Sequence, residues 1–178
     1  MALTATATPK VAEDIARQLE LREPERVTAP VYRSNLTFRA QPRRDLKSQL
    51  SQLLNERRGT CGIVYCRKRK QAEELAAHFG SQGINCAPFH AGLASEIKRE
   101  TLRRFLGDEL DLVFATIAFG MGIDRPDVRF VIHAASPDSL EAYVQEAGRA
   151  GRDGLPADCI LLFGQDEVGL AYFFLNKE

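Results

Sequence analysis

The sequence predicts an α/β fold in which a parallel sheet is covered by helices on both faces. Two observations favour this fold class. Short, continuous apolar runs recur along the 178 residues, and segments of ten or more residues with a helical spacing of apolar positions separate them. Parallel strands are buried on both faces, so they are apolar throughout, and they need long crossover connections, usually helices. The length suits one such domain together with a piece of a neighbour.

The predicted elements follow one another in a regular order. Thr8 and Pro9 are typical of an N-cap and a first-turn proline, and they open a helix with Val11, Ile15 and Leu19 on one face. Apolar runs predict strands at 27–31, 36–38, 61–66, 86–89, 110–115, 130–133 and 159–163. Apolar stripes predict helices at 46–54, 68–80, 95–106 and 139–147, and a last helix near the end of the chain.

Charge and apolar content narrow the class of protein. The 24 basic and 24 acidic side chains cancel, no apolar run approaches the ~20 residues that span a bilayer, and no export signal is visible. The four cysteines form no C-x-x-C pair. Reduced thiols packed in a reducing cytosol are therefore expected, rather than disulfides or a zinc site.

Basic residues are concentrated in one band of this chain, although its net charge is zero. From Arg39 to Lys70 there are ten lysines and arginines against two acids, Asp45 and Glu56. Such a band permits local contact with phosphate groups without a general affinity for polyanions. A solvated helix face explains the same composition, and for a band of this kind alone it is the more common outcome.

The segment 145–154, Gln-Glu-Ala-Gly-Arg-Ala-Gly-Arg-Asp-Gly, contains two arginines, Arg149 and Arg152, each preceded by a glycine. Arginine keeps its charge, and its planar fork fits phosphate oxygens. An adjacent glycine lets the backbone come close to a ligand. The segment lies between a predicted helix and a predicted strand, which is a position for a loop at a sheet edge. A surface turn rich in arginine and glycine explains the pattern about equally well.

The segment 114–124 ends an apolar strand near Thr116 and continues through two glycines, the second of which is Gly122, to Asp124. Backbone amides after a strand can hold a phosphate group, and an aspartate can accept a hydrogen bond from a ribose hydroxyl. The dinucleotide pattern G-x-G-x-x-G is not satisfied, because Arg125 stands at the third glycine position. A flexible loop after the strand is the alternative interpretation.

Basic and imidazole side chains stand at the ends of two further strands. Arg67 and Lys68 follow the apolar run at 61–66 and open a helix, and His90 ends the next strand. Together they could line a groove for a nucleic-acid backbone. For a lone histidine such as His90 or His133, an ordinary residue at a strand end is the more common outcome.

Two acidic patterns imitate a magnesium-binding motif without its context. The chain contains no G-x-x-x-x-G-K-[ST] phosphate loop. The acids in 108–111 precede their apolar strand instead of following it, and Asp166 and Glu167 have no phosphate loop to serve. All of them are expected to be surface acids, and no metal site is predicted. The chain thus has arginines suited to a γ-phosphate but lacks the usual cradle for a triphosphate.

In this order the segments resemble the motifs of superfamily 2 helicases, and among them the RecQ family of DNA helicases. The segments that carry the resemblance are 3–8 for motif III, 62–67 for motif IV, 89–93 for a RecQ segment, 115–133 for motif V with its extension, and 145–154 for motif VI. The resemblance covers nearly the whole chain. Its specific parts are the extended motif V and motif VI, whereas motif III alone is a weak signal.

The resemblance implies a RecA-like α/β lobe, the second of two, in a 3′-to-5′ ATP-dependent DNA helicase of recombination and repair. It implies that Arg152 is the arginine finger, with Arg149 and Gln145 as further catalytic residues of motif VI. It also implies that Gly122 and Asp124 lie against the nucleotide, together with the two arginines.

The resemblance further implies that Thr116 lies near the DNA backbone, and Arg67, Lys68 and His90 are expected to contact the same backbone. ATP and Mg²⁺ would be bound mainly by the first lobe, and no zinc is expected in this chain. The chain alone is therefore expected to be inactive. The implied partners are single-stranded or partially duplex DNA and the first helicase lobe. The implied location is the cytoplasm and nucleoid, or the nucleus in a eukaryote.

Three segments are predicted along the chain. Residues 1–31 would end the first lobe with motif III and a helix, 32–165 would form the second lobe, and 166–178 would form a helix leading toward a C-terminal region. Two alternatives stay open. One is the lobe of an RNA helicase or another superfamily 2 translocase, against which the motif V sequence argues. The other is a non-catalytic, truncated nucleic-acid-binding module, which the genomic sequence upstream of Met1 would test.

Overall fold

The computed structural model describes residues 9–27, 33–120 and 123–164. Several sequence predictions fall wholly or largely outside these ranges: motif III at 3–8, the strand at 27–31, Gly122, and the acids and helix at 166–178.

The contacts divide the chain into two units between Ser34 and Asn35. The first unit contains helix α1, Pro9–Gln18, which begins at the predicted first-turn proline. Val27, the first residue of the predicted strand at 27–31, lies outside any helix or strand.

The second unit is an α/β fold whose described elements alternate along the chain. Its strands are β1 Leu36–Pro42, β2 Cys61–Tyr65, β3 Cys86–Phe89, β4 Leu112–Ala115, β5 Val128–His133 and β6 Ala157–Phe163. Its helices are α2 Leu46–Asn55, α3 Arg69–Gly80, α4 Ser95–Leu106 and α5 Leu140–Ala147. The six strands form one parallel sheet in the order β1-β6-β5-β2-β4-β3. The predicted parallel α/β fold is confirmed.

Two apolar layers cover the two faces of this sheet. Helices α2 and α3 pack on one face through side chains such as Leu50 and Phe79, which are fully buried. Helices α4 and α5 pack on the other face, where Phe105 is fully buried. Successive residues of a strand point to opposite faces, so Ile63 joins one layer and Val64 the other. No helix in the described ranges is both long and apolar enough to cross a membrane.

Strand β1 is longer than the sequence predicts. It pairs with β6 over seven residues, from Leu36 opposite Ala157 to Pro42 opposite Phe163. It lies at an edge of the sheet, and five of its seven residues are exposed to solvent. A continuous apolar run therefore does not mark its second half, where Arg39 is exposed.

The connection from β4 to β5 contains no helix in its described part. The two strands lie on either side of β2, so residues 116–120 and 123–127 lead from the end of β4 to the beginning of β5. Phe119 and Ile123 bury their side chains in the layer shared with α4 and α5. We call the side of the sheet where the strands end the carboxyl edge, and the opposite side the amino edge. The motif V segment thus joins the two edges.

The four cysteines are free thiols, and Cys61, Cys66 and Cys159 are buried. Burial raises the pKa of the Cys61 and Cys66 thiols to about 12. A thiol with such a pKa stays protonated at neutral pH and is a poor nucleophile or metal ligand. These cysteines act as small apolar side chains of the core.

Candidate functional site

Three adjacent strands bring the residues assigned to DNA together at the carboxyl edge. Arg67 and Lys68 follow β2, His90 follows β3 and Thr116 follows β4. The strands are neighbours in the order β2-β4-β3, and the Thr116 N–H donates to the Phe89 carbonyl at 3.0 Å. Neighbouring strands lie about 4.8 Å apart, so these positions fall within a short stretch of one edge.

Arg67 and Lys68 are exposed at this edge. Among the described residues, no hydrogen bond or ion pair involves either side chain, whereas Arg57 of the same basic band meets Asp158 at 2.6 Å. Arg57 is mostly buried by that contact. Within the basic band, Arg57 thus takes part in an ion pair inside the fold, whereas Arg67 and Lys68 are open to solvent at the carboxyl edge.

Two helices begin at the carboxyl edge without a side-chain cap. The N-cap of α3 is Lys68 and that of α4 is Ala94, and neither side chain accepts a hydrogen bond. The first backbone N–H groups of a helix have no partner within the helix, and they attract anions. Sequence reasoning missed this feature. Its signal was the absence of Ser, Thr, Asp or Asn before each of these helices.

His90 differs from Arg67 and Lys68 because its ring is buried and only 3% exposed. The Gly92 N–H donates to His90 Nδ1 at 3.2 Å, and His90 Nε2 lies 2.9 Å from Glu73 Oε1. Since Nδ1 accepts, Nε2 carries the hydrogen and donates to the carboxylate of α3. The imidazole joins α3 to the turn after β3, so its effect on the carboxyl edge is to position that turn.

The motif VI loop lies at the opposite side of the sheet. It follows α5 and precedes β6, and the Gly151 N–H donates to the Val128 carbonyl at the start of β5. The sequence predicts a loop at a sheet edge, and the structure shows that this is the amino edge. Gly151 is therefore separated from Arg67 and Lys68 by the length of the sheet, whereas Glu146 of the same motif reaches His133 at the carboxyl end of β5.

The two arginines of motif VI bind the motif V segment. Arg149 Nη1 donates to the Gly120 carbonyl at 2.6 Å. Arg152 Nη1 donates to the Ile123 carbonyl at 2.9 Å and to Asp124 Oδ1 at 2.8 Å. Segments that are distant in sequence thus form one site, which contains three of the residues predicted to contact the nucleotide. The fourth, Gly122, lies outside the described residues.

The two arginines differ in exposure. Arg149 is 8% exposed, and its Nε is buried without a hydrogen-bond partner among the described residues. The Arg152 side chain is 35% exposed and its partner Asp124 is 90% exposed. Exposed ion pairs contribute little to folding, so the Arg152–Asp124 pair is free to exchange partners with a ligand. Arg149 is better suited to hold the loop.

Gln145 is exposed on α5, one turn before Arg149, whereas the neighbouring Glu146 is buried. Glu146 Oε2 lies 2.7 Å from His133 Nε2 at the end of β5. The His133 ring stacks on Tyr65, with 5.2 Å between ring centroids. This buried pair was missed by sequence reasoning, which treated His133 as an ordinary strand-end residue.

Tyr65 completes a connection between β2 and the motif V segment. Its hydroxyl is buried and donates to the Phe119 carbonyl at 2.8 Å. Burial raises the pKa of the phenol above its ordinary value, so it remains a neutral donor at physiological pH. The carbonyl of Phe119 is thus held from β2, and that of the next residue, Gly120, is held by Arg149.

The described acids of 108–111 take part in no arrangement that could hold a metal ion. Asp108 and Asp111 are exposed, and Asp108 pairs with Arg125 at 2.7 Å. Among the described residues, no three His, Cys, Asp or Glu side chains converge on a position for a metal ion. The donors that converge at the amino edge are arginines, which bind anions.

Comparison with known proteins identifies the family. Residues 45–154 match the family described as "Helicase conserved C-terminal domain". The chain is 41% identical over 177 residues to the ATP-dependent DNA helicase RecQ of Bacillus subtilis, covering 99% of this chain and 30% of that protein.

Two further relatives come from animals. Identity is 41% over 165 residues to the RecQ-like DNA helicase blm-1 of Caenorhabditis elegans, covering 92% of this chain and 17% of that protein. It is 39% over 172 residues to the RecQ-like DNA helicase BLM of Xenopus laevis, covering 94% and 13%. The chain thus spans less than a third of each of these relatives. By these matches, the chain belongs to the helicase conserved C-terminal domain family, and it is similar in sequence to RecQ helicases.

Proposed function

We propose that this chain is the second motor lobe of a 3′-to-5′ ATP-dependent DNA helicase of the RecQ type. The observation that supports this most directly is the pairing of motif VI with motif V at the amino edge. There Arg152 meets an exposed carboxylate, that of Asp124, next to the buried Arg149. The positive charge of the Arg152 guanidinium, beside that of Arg149, suits a nucleotide phosphate brought to it by another lobe.

At the nucleotide, the residues of this chain would supply charge and orientation. Mg²⁺ and ATP, when bound to the first lobe, supply the reacting phosphate and neutralise part of its charge. Arg152 would stabilise the charge that develops on the γ-phosphoryl group in the transition state. Asp124 would accept a hydrogen bond from a ribose hydroxyl. Arg149, whose Nε is a buried donor without a partner among the described residues, would hold the loop and offer a further donor.

At the carboxyl edge, this chain would contact the backbone of one DNA strand. Arg67 and Lys68 offer charge, and the uncapped starts of α3 and α4 offer backbone N–H groups. Thr116 lies at the same edge and offers a hydroxyl. His90 would act through the turn that it holds in place. These contacts read no bases, so they suit a motor that moves along any sequence.

The motif V segment would couple the two surfaces. It starts at Thr116 on the carboxyl edge and reaches Asp124 on the amino edge within eight residues. Its carbonyl groups at Phe119 and Gly120 are held by Tyr65 and Arg149, respectively. A shift of the nucleotide-binding end therefore has a short covalent path to the DNA-binding end, as a motor that converts ATP hydrolysis into movement requires.

The first helicase lobe is the partner that this proposal requires. The chain lacks a phosphate loop, and phosphoryl transfer depends on such a cradle for most of its positioning. The chain by itself is therefore expected to hydrolyse no ATP. DNA-stimulated turnover by the purified chain, at a rate like that of the full-length helicase, would contradict this expectation.

The test uses the full-length helicase with duplexes that carry a 3′ or a 5′ single-stranded tail. The proposal expects ATP-dependent unwinding of 3′-tailed DNA, little unwinding of 5′-tailed DNA and less of an RNA duplex. It also expects Arg152→Ala to abolish unwinding while the protein still binds ATP. Preferential unwinding of RNA or of 5′-tailed DNA would refute the assigned substrate or polarity.

A further inference from the structure

Arg125 is a buried arginine that the proposed mechanism does not use. It is 6% exposed and lies in the part of the motif V segment that leads into β5. A charged side chain is rarely buried to this extent unless its partners hold it in a defined place. Its position directly after Asp124, in a segment without a helix among its described residues, raises the question of what it fixes.

The guanidinium of Arg125 binds on several sides at once. Nε and Nη2 donate to the two carboxylate oxygens of Asp127 at 2.8 and 3.1 Å, in the forked geometry that arginine favours. Nη2 also lies 2.7 Å from Asp108. Nη1 donates to the Leu110 carbonyl at 3.0 Å and to the Phe105 carbonyl.

These contacts join the motif V segment to the end of α4 and to the turn before β4. Phe105 is in the last turn of α4, and its ring lies under the Arg125 guanidinium, 4.9 Å from ring centroid to Cζ. The same ring contacts Phe119, with 5.4 Å between centroids. Both ends of residues 119–125 therefore rest on one buried side chain.

The neighbouring Asp124 has no comparable support. Its side chain is 90% exposed, and its partner among the described residues is Arg152. An exposed side chain takes its position from the backbone that carries it, and here that backbone is held on one side by Ile123, which is buried, and on the other by Arg125. The carbonyl of Ile123 also accepts from Arg152, so a shift of this backbone moves both partners of Arg152 together.

We infer that Arg125 is a positioning residue for ATP hydrolysis, which fixes the backbone at 123–125 so that Asp124 and the Ile123 carbonyl hold Arg152 in place. This inference rests on the proposed role of Arg152 at the nucleotide. The fork is essential to it, because five N–H donors satisfy two carbonyls and two carboxylates at once. Lysine would keep the charge but would leave part of this set unpaired.

The test compares four forms of the full-length helicase: the wild type, Arg125→Lys, Arg152→Ala and the double variant. A misplacement of about 1 Å at a reacting group lowers rates by up to roughly 100-fold. Arg125→Lys is therefore expected to lower kcat at saturating ATP and DNA by roughly 10- to 100-fold. In the Arg152→Ala background the same substitution should lower kcat no further, since Arg125 acts through Arg152.

Arg57→Lys provides the matched control for stability. Arg57 is a mostly buried arginine that binds Asp158 at 2.6 Å and the Leu53 carbonyl at 2.9 Å, on the face of the sheet that α2 covers. Both lysine variants should lower the melting temperature. Only Arg125→Lys should lower kcat in protein that is still folded at the assay temperature.

Each outcome either supports or refutes the positioning role of Arg125. If Arg152→Ala lowers kcat but Arg125→Lys does not, the positioning role is refuted and the proposed function stands. If the two effects multiply in the double variant, Arg125 does not act through Arg152, and the inference is refuted. If kcat falls equally in Arg57→Lys, Arg125 is merely structural. If Arg152→Ala itself leaves kcat unchanged, the proposed function fails, and the inference fails with it.

Discussion

Replacing Arg152 by alanine distinguishes a catalytic role from a structural role, because the two roles predict losses of different size in turnover and in the free energy of unfolding. The side chain makes two hydrogen bonds, one to the exposed Asp124 and one to the Ile123 carbonyl. An exposed ion pair contributes about 0.2–1 kcal/mol and a hydrogen bond to a carbonyl about 1 kcal/mol. The substitution should therefore lower the free energy of unfolding by at most about 2 kcal/mol.

The expected catalytic loss is much larger. An arginine finger accelerates phosphoryl transfer by roughly 10³- to 10⁵-fold, which corresponds to about 4–7 kcal/mol of transition-state stabilisation. Nucleotide binding should change little, because the first lobe would hold the adenine and the α- and β-phosphates. Lysine at position 152 should restore only part of the rate, since a point charge lacks the planar fork.

The assay measures DNA-stimulated ATP turnover, nucleotide affinity and thermal unfolding of the same full-length variant. Arg103→Ala is a suitable control, because Arg103 is an exposed arginine of α4 that is also paired with carboxylates, Glu100 and Glu109. It should leave turnover unchanged. Unchanged turnover in Arg152→Ala, or a loss of turnover that parallels its loss of folded protein, would refute the assignment of Arg152.

Three further predictions follow from the structure. Binding of single-stranded DNA to this chain should be weak and independent of sequence. With ~3 phosphate contacts, the binding affinity should fall with salt concentration with a log–log slope of about −2. Fluorescence anisotropy across a salt series measures this slope, and an affinity that does not change with salt would exclude phosphate contacts. Gly62→Ala should lower the free energy of unfolding by about 1–3 kcal/mol, because a Cβ there would lie 2.2 Å from the buried Phe130 ring; an unchanged denaturation midpoint would contradict this. The hydrogen bond from Arg125 lowers the pKa of Asp127, so its stabilising effect is present above the unfolded pKa of about 4 and is lost as the pH falls through the lower folded pKa. Accordingly, the difference in melting temperature between wild type and Asp127→Asn should shrink below about pH 4, and a difference that is constant with pH would contradict this origin.

Much of the fold could be predicted from the sequence because the strands are buried on both faces. The run at 61–66 is apolar throughout, and β2 occupies Cys61–Tyr65 with every residue buried. The helix at 95–106 has the predicted bounds. The prediction was less accurate for β1, which is exposed at the sheet edge, and no apolar pattern marks residues that are paired only through their backbone.

The sequence also predicted which segments carry the candidate site, because arginine next to glycine suits phosphate oxygens and an aspartate after a glycine-rich stretch suits a ribose hydroxyl. It could not identify which partner each side chain meets. His90 and His133 have similar positions at strand ends, and both proved to be buried against carboxylates, Glu73 and Glu146. Those carboxylates lie on α3 and α5, so only the packing of each helix on the sheet created the pairs.

The division of the site into two edges follows from the order of the elements once the sheet is known to be parallel. In a parallel sheet, a loop that follows its strand lies at the carboxyl edge, and a loop that precedes its strand lies at the amino edge. Arg67 follows β2 and lies at the carboxyl edge, whereas Arg152 precedes β6 and lies at the amino edge. The pairing of Arg152 with Asp124, 28 residues away in the chain, likewise required the crossover of the motif V segment to be folded. Composition and spacing therefore determined the chemistry that the chain offers, while the order of strands in the sheet determined which of its charges face each other.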